Sequence, residues 1–309
     1  MIGRMNDLSI GIFDSGLGGL TVMRAVADLL PDEDIVYFGD TARCPYGPRP
    51  LPEVQRYVVE VASWLARRDV KLMVVACNTG TAAALPLVQQ LFDVPAIGVV
   101  EPGARAAVMA TVNRKVGVIG TIGTVESGAY SRAVRALDAG VTVFSVATPK
   151  FVDVAEQGLR MGPGALEEWL AEFSDVFVRP SFYGMARDYL DPLRRVGVDT
   201  LVLGCTHFPL LSASIGQAIG PSVRLISSAD ETAREVAGML TARGDLRDSA
   251  RPRELTFATT GDAAEFATLG ARVLRSPIER AQHVPVDELA RTARAYDPAA
   301  AAATLTACD

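Results

Sequence analysis

The sequence predicts an α/β protein built on mainly parallel sheets that are flanked by helices. Three observations support this fold class. Short apolar runs alternate with amphipathic stretches along most of the chain, as they do where crossover helices join parallel strands. The length of 309 residues is sufficient for two such units. One arrangement, an apolar strand followed by a cysteine, a polar turn and a helix, occurs twice, at LMVVACNTG (72–80) and LVLGCTHFP (201–209).

Composition excludes several classes of protein. Apolar residues make up 49% of the chain and charged residues 21%, which is typical of a globular protein with a sizeable core. The net charge of -6 does not favour nucleic-acid binding. No apolar run approaches the ~18 residues that span a bilayer, and no secretory signal precedes the first strand. Four cysteines without close pairing are typical of a reducing compartment, so we expect a cytoplasmic protein.

The first predicted strand, 8–13, leads into the loop DSGLGGL and a helix that ends near residue 30. The loop is neither a Walker motif nor a GxGxxG fingerprint, and a simple tight turn is an equally good interpretation of its glycines. Asp14 and Ser15, however, follow the carboxyl end of the strand, where open α/β sheets bind ligands.

A strand at 34–39 precedes the loop DTARCPYGPRP. Its three prolines and one glycine between Cys44 and Pro50 predict a rigid, irregular segment. Tyr46 and Gly47 lie within it, and the segment either covers a site or is only a connection. We expect Cys44 to be structural or incidental.

The remaining elements continue the alternation of strands and helices. Glu101-Pro102-Gly103 interrupts the pattern and is interpreted as the crossing to a second unit. The predicted elements are a helix at 52–68, a strand ending at 77, a helix to 91, a strand at 95–99, a helix from 104, a strand at 116–120, a turn at 121–124, a helix to 137, a strand at 141–146, a short helix at 151–158, helices at 165–173 and 183–196, a strand ending at 205, a helix after 209, a strand at 223–226, a helix at 231–242, a strand at 255–259 and a helix at 263–269.

This order predicts two domains and an extension. Residues 1–100 with 217–276 form the first α/β domain, residues 101–216 form the second, and residues 277–309 form a partly frayed C-terminal extension. Cys308, in the alanine-rich tail, is not expected to be functional.

Cys77 and Cys205 can be assigned to several chemistries. Zinc needs three or four ligands, and Cys205 and His207 are the only close pair. A cysteine phosphatase needs an arginine soon after the nucleophile, and neither segment supplies one. A Cys-His hydrolase would use His207 but leave Cys77 without a role.

A fourth chemistry uses both thiols. Inversion of a carbon centre needs a base on one face and an acid on the other, and two thiols with one deprotonated supply both. A free thiol has a pKa of about 8.5, so modest tuning brings it near the working pH. This chemistry requires no metal and no organic cofactor.

The motifs FDSGLGGLTV, GDTARCPYG, VVACNT, FVDVAEQG and LVLGCTHFPLL together resemble those of the glutamate racemases, within the cofactor-independent aspartate/glutamate racemase superfamily. The resemblance covers about residues 10–270. It implies two pseudo-symmetric α/β domains with the active site in the cleft between them, and a homodimer. It also implies a bacterial enzyme that supplies D-glutamate for peptidoglycan, and hence for cell-wall biogenesis and cell shape.

The resemblance implies that Cys77 and Cys205 are the acid/base residues, supported by Asp14, Glu156 and His207. Substrate contacts are implied for Asp14, Ser15, Tyr46, Gly47, Asn78, Thr79, Thr121, Thr206 and His207.

Gly80, where the family usually has alanine, and Thr148, where it often has cysteine, depart from the pattern. Gly80 is expected to loosen the start of its helix. The alternatives are an aspartate racemase or another superfamily member, and a non-catalytic amino-acid-binding protein on the same fold.

Overall fold

The structure is a computed structural model that describes residues 5–162, 180–248 and 250–296. The strands are β1 Ile10–Asp14, β2 Ile35–Gly39, β3 Leu72–Val75, β4 Ala96–Gly98, β5 Lys115–Gly120, β6 Thr142–Ala147, β7 Thr200–Gly204, β8 Arg224–Ser227, β9 Leu255–Thr259 and β10 Gln282–His283. The helices are α1 Leu20–Leu29, α2 Leu51–Ala66, α3 Asn78–Leu91, α4 Val100–Ala110, α5 Ile122–Glu126, α6 Ala129–Leu137, α7 Pro149–Arg160, α8 Pro180–Val196, α9 Ser212–Ile219, α10 Ser228–Arg243, α11 Ala263–Leu274 and α12 Val286–Ala293.

The strands form two sheets, and every strand pair in both sheets is parallel. The six-stranded sheet has the order β10-β9-β2-β1-β3-β4, and the four-stranded sheet has the order β6-β5-β7-β8. All residues of β1, β3 and β7 are buried, because helices cover both faces of a parallel sheet. The predicted α/β fold class is therefore confirmed.

The hydrophobic core is continuous between the two sheets. One cluster of buried side chains includes Ile12 and Val74 from the first sheet and Leu203 from the second. Two further clusters pack against the other faces, one around Trp64 and one around Tyr130. The sheets are thereby held with the carboxyl ends of their central strands close together.

The structure differs from the expected organisation at two places. Glu101-Pro102-Gly103 lies in the first turn of α4, where proline is tolerated because its missing amide would have no helical partner. β8 pairs with β7, not with the first sheet as the expected return at residue 217 requires. The chain rejoins the six-stranded sheet only at β9.

Two further expectations concern parts of the C-terminal half. Within the extension, β10 pairs with β9 and α12 packs on α2, so residues 282–293 are ordered elements. The expected helix at 165–173 and the tail with Cys308 lie outside the described residues. Among the helices that the structure describes, none is long and apolar enough to cross a membrane.

Candidate active site

Strand register places each of the two cysteines just after the carboxyl end of a central strand, where the two sheets meet. Phe13 pairs with Val75, so Asp14 and the segment that leads to Cys77 leave the first sheet side by side. Gly120 pairs with Gly204, and the residues that follow them are Thr121 and Cys205. The predicted site residues therefore meet because each follows the carboxyl end of a central strand.

The meeting point is a cavity of about 320 Å³. Its lining contains both cysteines and eight of the nine residues implied for substrate contact; only Asp14 is missing. Pro45 and Val152 are additional lining residues that the sequence analysis did not identify. The lining residues are Ser15, Pro45, Tyr46, Gly47, Cys77, Asn78, Thr79, Thr121, Val152, Cys205, Thr206 and His207.

A larger cavity of about 890 Å³ adjoins the first and shares Pro45 and Val152 with it. Cys44 and Glu156 line this second space. Cys44 is therefore near the site but outside the cavity that holds the other two thiols. Burial raises the pKa of Cys44, so its thiol keeps its proton at neutral pH.

Cys77 occupies the N-cap position of α3. Its Sγ accepts a hydrogen bond from the Gly80 amide at 3.4 Å, as expected at a helix start, where the first amides have no helical partner. Burial raises the pKa of Cys77 and the charge of Asp14 raises it further, while the Gly80 amide acts in the opposite direction.

Cys205 has a side-chain partner. Its Sγ lies 3.8 Å from His207 Nδ1, and His207 Nε2 lies 2.7 Å from Glu156 Oε1. Burial alone would lower the pKa of His207, but the hydrogen bonds to Cys205 and Glu156 outweigh it and raise the pKa well above its usual range. Burial would raise the pKa of Glu156, but His207 lowers it. The pair is therefore an imidazolium and a carboxylate at neutral pH.

Asp14 supports the site from outside the cavity. Its Oδ2 accepts hydrogen bonds from the amides of Gly16 and Gly19 at 3.1 and 3.0 Å, and Thr206 Oγ1 lies 3.5 Å from its Oδ1. A Cβ atom at Gly19 would lie 2.4 Å from Asp14 Cβ, so this turn requires glycine. The supporting role implied for Asp14 fits this position better than a direct contact.

The proline-rich loop forms one wall of the cavity. The Tyr46 hydroxyl donates to the buried carboxylate of Asp40. The Gly47 carbonyl accepts a hydrogen bond from the Gly123 amide at 2.9 Å. Gly123 lies in α5, which follows β5 of the four-stranded sheet. Of the two interpretations of this loop, the structure favours the one in which it covers a site.

Hydroxyl groups link the ends of the two sheets directly beside this loop, where a Cβ atom at Gly47 would lie 2.7 Å from Thr121 Cβ. Thr79 Oγ1 lies 2.9 Å from Thr121 Oγ1 and 3.2 Å from Thr124 Oγ1. Thr121 is the N-cap of α5, so the expected turn at 121–124 is the start of a helix. Thr124 was not predicted, and no local pattern distinguishes it from an ordinary helical threonine.

Asn78 contributes an unpaired donor to the cavity. Its Oδ1 accepts a hydrogen bond from the Tyr130 hydroxyl at 2.7 Å. Its Nδ2 is buried and has no hydrogen-bond partner within the described parts of the chain. Burying an unpaired amide costs about 1–3 kcal/mol, and a ligand that accepts from Nδ2 would remove that cost.

Within residues 5–162, 180–248 and 250–296, no group of three or more His, Cys, Asp or Glu side chains is arranged to hold a metal ion. The polar groups around the cavity include hydroxyls, the Asn78 amide, two thiols and the His207 imidazole.

Comparison with known proteins places this site in a family. The sequence is 46% identical over 266 residues to a glutamate racemase from Geobacter metallireducens, covering 86% of this chain and 92% of that protein. The crystal structure of glutamate racemase isoform RacE1 from Bacillus anthracis superposes with a TM-score of 0.81 at 40% identity, covering 91% of this chain and 98% of that one. A glutamate racemase from Francisella tularensis in complex with D-glutamate superposes with a TM-score of 0.80 at 29% identity, covering 91% and 99%. The Asp/Glu/hydantoin racemase family model matches residues 10–236, so the chain belongs to that family.

Proposed function

We propose that this protein is a glutamate racemase, an isomerase that interconverts L- and D-glutamate without a cofactor. The observation that carries the proposal is the placement of two thiols from two different sheets on one small polar cavity. The names of the relatives support glutamate as the substrate, and the chain spans 92% of the Geobacter metallireducens protein.

In this mechanism Cys77 and Cys205 act on opposite faces of Cα. One thiolate removes the Cα proton, the electron pair stays on the substrate as a carbanion, and the other thiol delivers its proton to the opposite face. The products are the opposite enantiomer and an enzyme whose two sulfurs have exchanged protonation states. The reverse reaction uses the same groups in exchanged roles.

Hydroxyls, amides and the His207 imidazolium would hold the substrate. Neither arginine nor lysine is among the described residues that line the cavity, so the substrate carboxylates would meet hydroxyls, amides and His207. Ser15, Asn78 and Thr206 are candidates on this basis, together with Thr79 and Thr121. Such fixed dipoles also stabilise the charge that develops at Cα and its carboxylate.

We also propose the wider role and organisation that were expected from the sequence. The enzyme would supply D-glutamate for peptidoglycan, act in the cytoplasm and form a homodimer. The two sheets would belong to two domains with the site between them, and the second domain would include β8.

Proton exchange tests the activity directly. Purified protein is incubated with L-glutamate, and separately with D-glutamate, in heavy water without added cofactor, and the Cα proton signal is followed by NMR together with optical rotation. Loss of both signals supports the proposal. Exchange with aspartate but not glutamate would keep the mechanism and change the substrate, and no exchange with either would favour a binding protein.

A further inference from the structure

Tyr130 joins the two halves of the molecule at the cavity. It lies in α6, against the four-stranded sheet, and only 2% of its surface is exposed. Its hydroxyl donates to Oδ1 of Asn78, the first residue of α3 against the six-stranded sheet. Tyr130 is not one of the residues that line the cavity, and its hydroxyl is linked to the cavity through the Asn78 amide.

The main chain approaches the ring of Tyr130 closely at two glycines. A Cβ atom at Gly204, the residue before Cys205, would lie 3.1 Å from Tyr130 Cε2. A Cβ atom at Gly103 would lie 3.4 Å from Tyr130 Cε1 and from its hydroxyl oxygen. Since side chains are missing at these two positions, the ring fits closely and the hydroxyl is held in place.

The hydrogen bond decides which end of the Asn78 amide remains available. A primary amide has an acceptor end and a donor end, and the phenol occupies the acceptor end. Burial raises the pKa of Tyr130, so the phenol keeps the proton that it donates. The reverse orientation would turn Oδ1 toward an anionic ligand and repel it.

We infer that Tyr130 is a positioning residue that holds the Asn78 amide with Nδ2 free to donate to a substrate carboxylate. This inference rests on the proposed function, because it needs a carboxylate ligand in the cavity. It assigns to α6 a part in substrate binding although α6 contributes no lining residue.

The test is Tyr130→Phe, which removes the hydroxyl and keeps the ring. We expect KM to rise about tenfold for both enantiomers while kcat stays within about threefold, because the lost interaction holds the substrate in the ground state and the transition state alike. In the Asn78→Ala background the same substitution should change KM by less than twofold, because the Tyr130 hydroxyl acts through that amide. Tyr189→Phe, which removes a phenol hydroxyl from a ring packed on Phe151, is the matched control and should keep the wild-type KM.

Asn78→Asp gives a second, independent test if Tyr130→Phe does not fold. The carboxylate can still accept from Tyr130 but offers no donor to the ligand, so KM should rise further than in Asn78→Ala. The inference would be overturned by any of three results. These are an unchanged KM in Tyr130→Phe, an equal change in KM from this substitution with and without Asn78, and a wild-type KM in Asn78→Asp. Absence of racemisation by the wild-type protein would instead overturn the proposed function.

Discussion

Cys77 and Cys205 occupy equivalent positions after a central strand of each sheet, but the groups that surround the two sulfurs differ. Both cysteines follow a fully buried parallel strand, and both are nearly inaccessible to solvent. Cys77 accepts a hydrogen bond from a main-chain amide, whereas Cys205 lies beside an imidazole that is itself bound to a carboxylate.

The cause of the difference is the local structure after each cysteine. α3 begins directly after Cys77, so helix amides are present at that sulfur. After Cys205 the chain forms a 3₁₀ turn, Phe208–Leu211, before α9 begins. The polar partner of that sulfur is therefore a side chain, His207, which is itself bound to Glu156. Equivalent positions in a repeated fold therefore need not use the same means to control a proton.

The largest expected effect comes from removing either thiol. Cys77→Ala and Cys205→Ala should each lower racemisation by roughly 10³-fold or more, because each removes one of two general acid/base groups. Optical rotation with each enantiomer measures the loss. Cys44→Ala is the matched control, since this third thiol lines only the adjoining cavity, and it should retain activity. If either single variant of the proposed pair racemised glutamate normally, the two-base mechanism would be wrong.

The next effect separates the two sides. Glu156→Gln should lower kcat by about tenfold, because it removes the carboxylate that keeps His207 charged beside Cys205. Enantiomers have equal free energies, so kcat/KM must stay equal in the two directions. The asymmetry should appear in isotope effects with substrate deuterated at Cα. The isotope effect should grow for the enantiomer that Cys205 deprotonates and shrink for the other enantiomer. Equal changes in the two isotope effects would refute a role of Glu156 that is confined to the Cys205 side.

The His207–Glu156 pair should also make the free energy of unfolding depend on pH. The raised pKa of His207 contributes stability that is complete below its unfolded value of about 6.5 and is lost as pH rises through the folded value. The lowered pKa of Glu156 contributes stability that is present above about 4.3 and is lost as pH falls through the folded value.

Glu156→Gln should therefore destabilise the protein most between about pH 5 and 6, by about 2 kcal/mol, a magnitude typical of a hydrogen bond between charged groups. The difference should shrink as His207 loses its proton at higher pH. Thermal unfolding of both proteins across this range provides the measurement. A difference that grew toward alkaline pH would mean that the imidazole is neutral in the folded protein.

Much of this arrangement could be predicted from the sequence. The strand-cysteine-turn pattern identifies Cys77 and Cys205 from local information alone, because apolar runs and the residues that end them are adjacent in the chain. The resemblance to a family adds Glu156, whose only visible signal was its place on a short helix. Its contact with His207 joins residues 51 positions apart and could not be derived from periodicity.

What the sequence could not supply depends on contacts between the two halves. Tyr130 lies among the apolar positions of an ordinary amphipathic helix, and only the packed structure shows its hydroxyl at Asn78. The assignment of β8 was wrong for a related reason, since an apolar strand pattern does not specify which sheet the strand joins.

The smallest expected effect concerns Gly80, whose amide donates to Cys77. A Cβ atom there would lie 3.2 Å from both Cys77 Cβ and Val58 Cγ2, tighter than ordinary contact. Alanine gains about 1 kcal/mol of helix propensity over glycine, and the crowding offsets part of that gain. We expect Gly80→Ala to change the free energy of unfolding by less than about 1 kcal/mol and to lower kcat only slightly.

The direction of its isotope effects makes Gly80→Ala informative. Gly238→Ala is the control, because a Cβ atom at this position meets no atom within 4 Å. This substitution should stabilise α10 by roughly 0.5–1 kcal/mol without changing the kinetics. Displacement of the Gly80 amide should slow proton transfer at Cys77. The isotope effect should therefore grow for the enantiomer that Cys77 deprotonates, which is the enantiomer whose isotope effect Glu156→Gln reduces. Opposite asymmetries from these two substitutions would show that each sulfur is controlled by its own surroundings. Asymmetries of the same sign would mean that a change on either side is transmitted to both thiols.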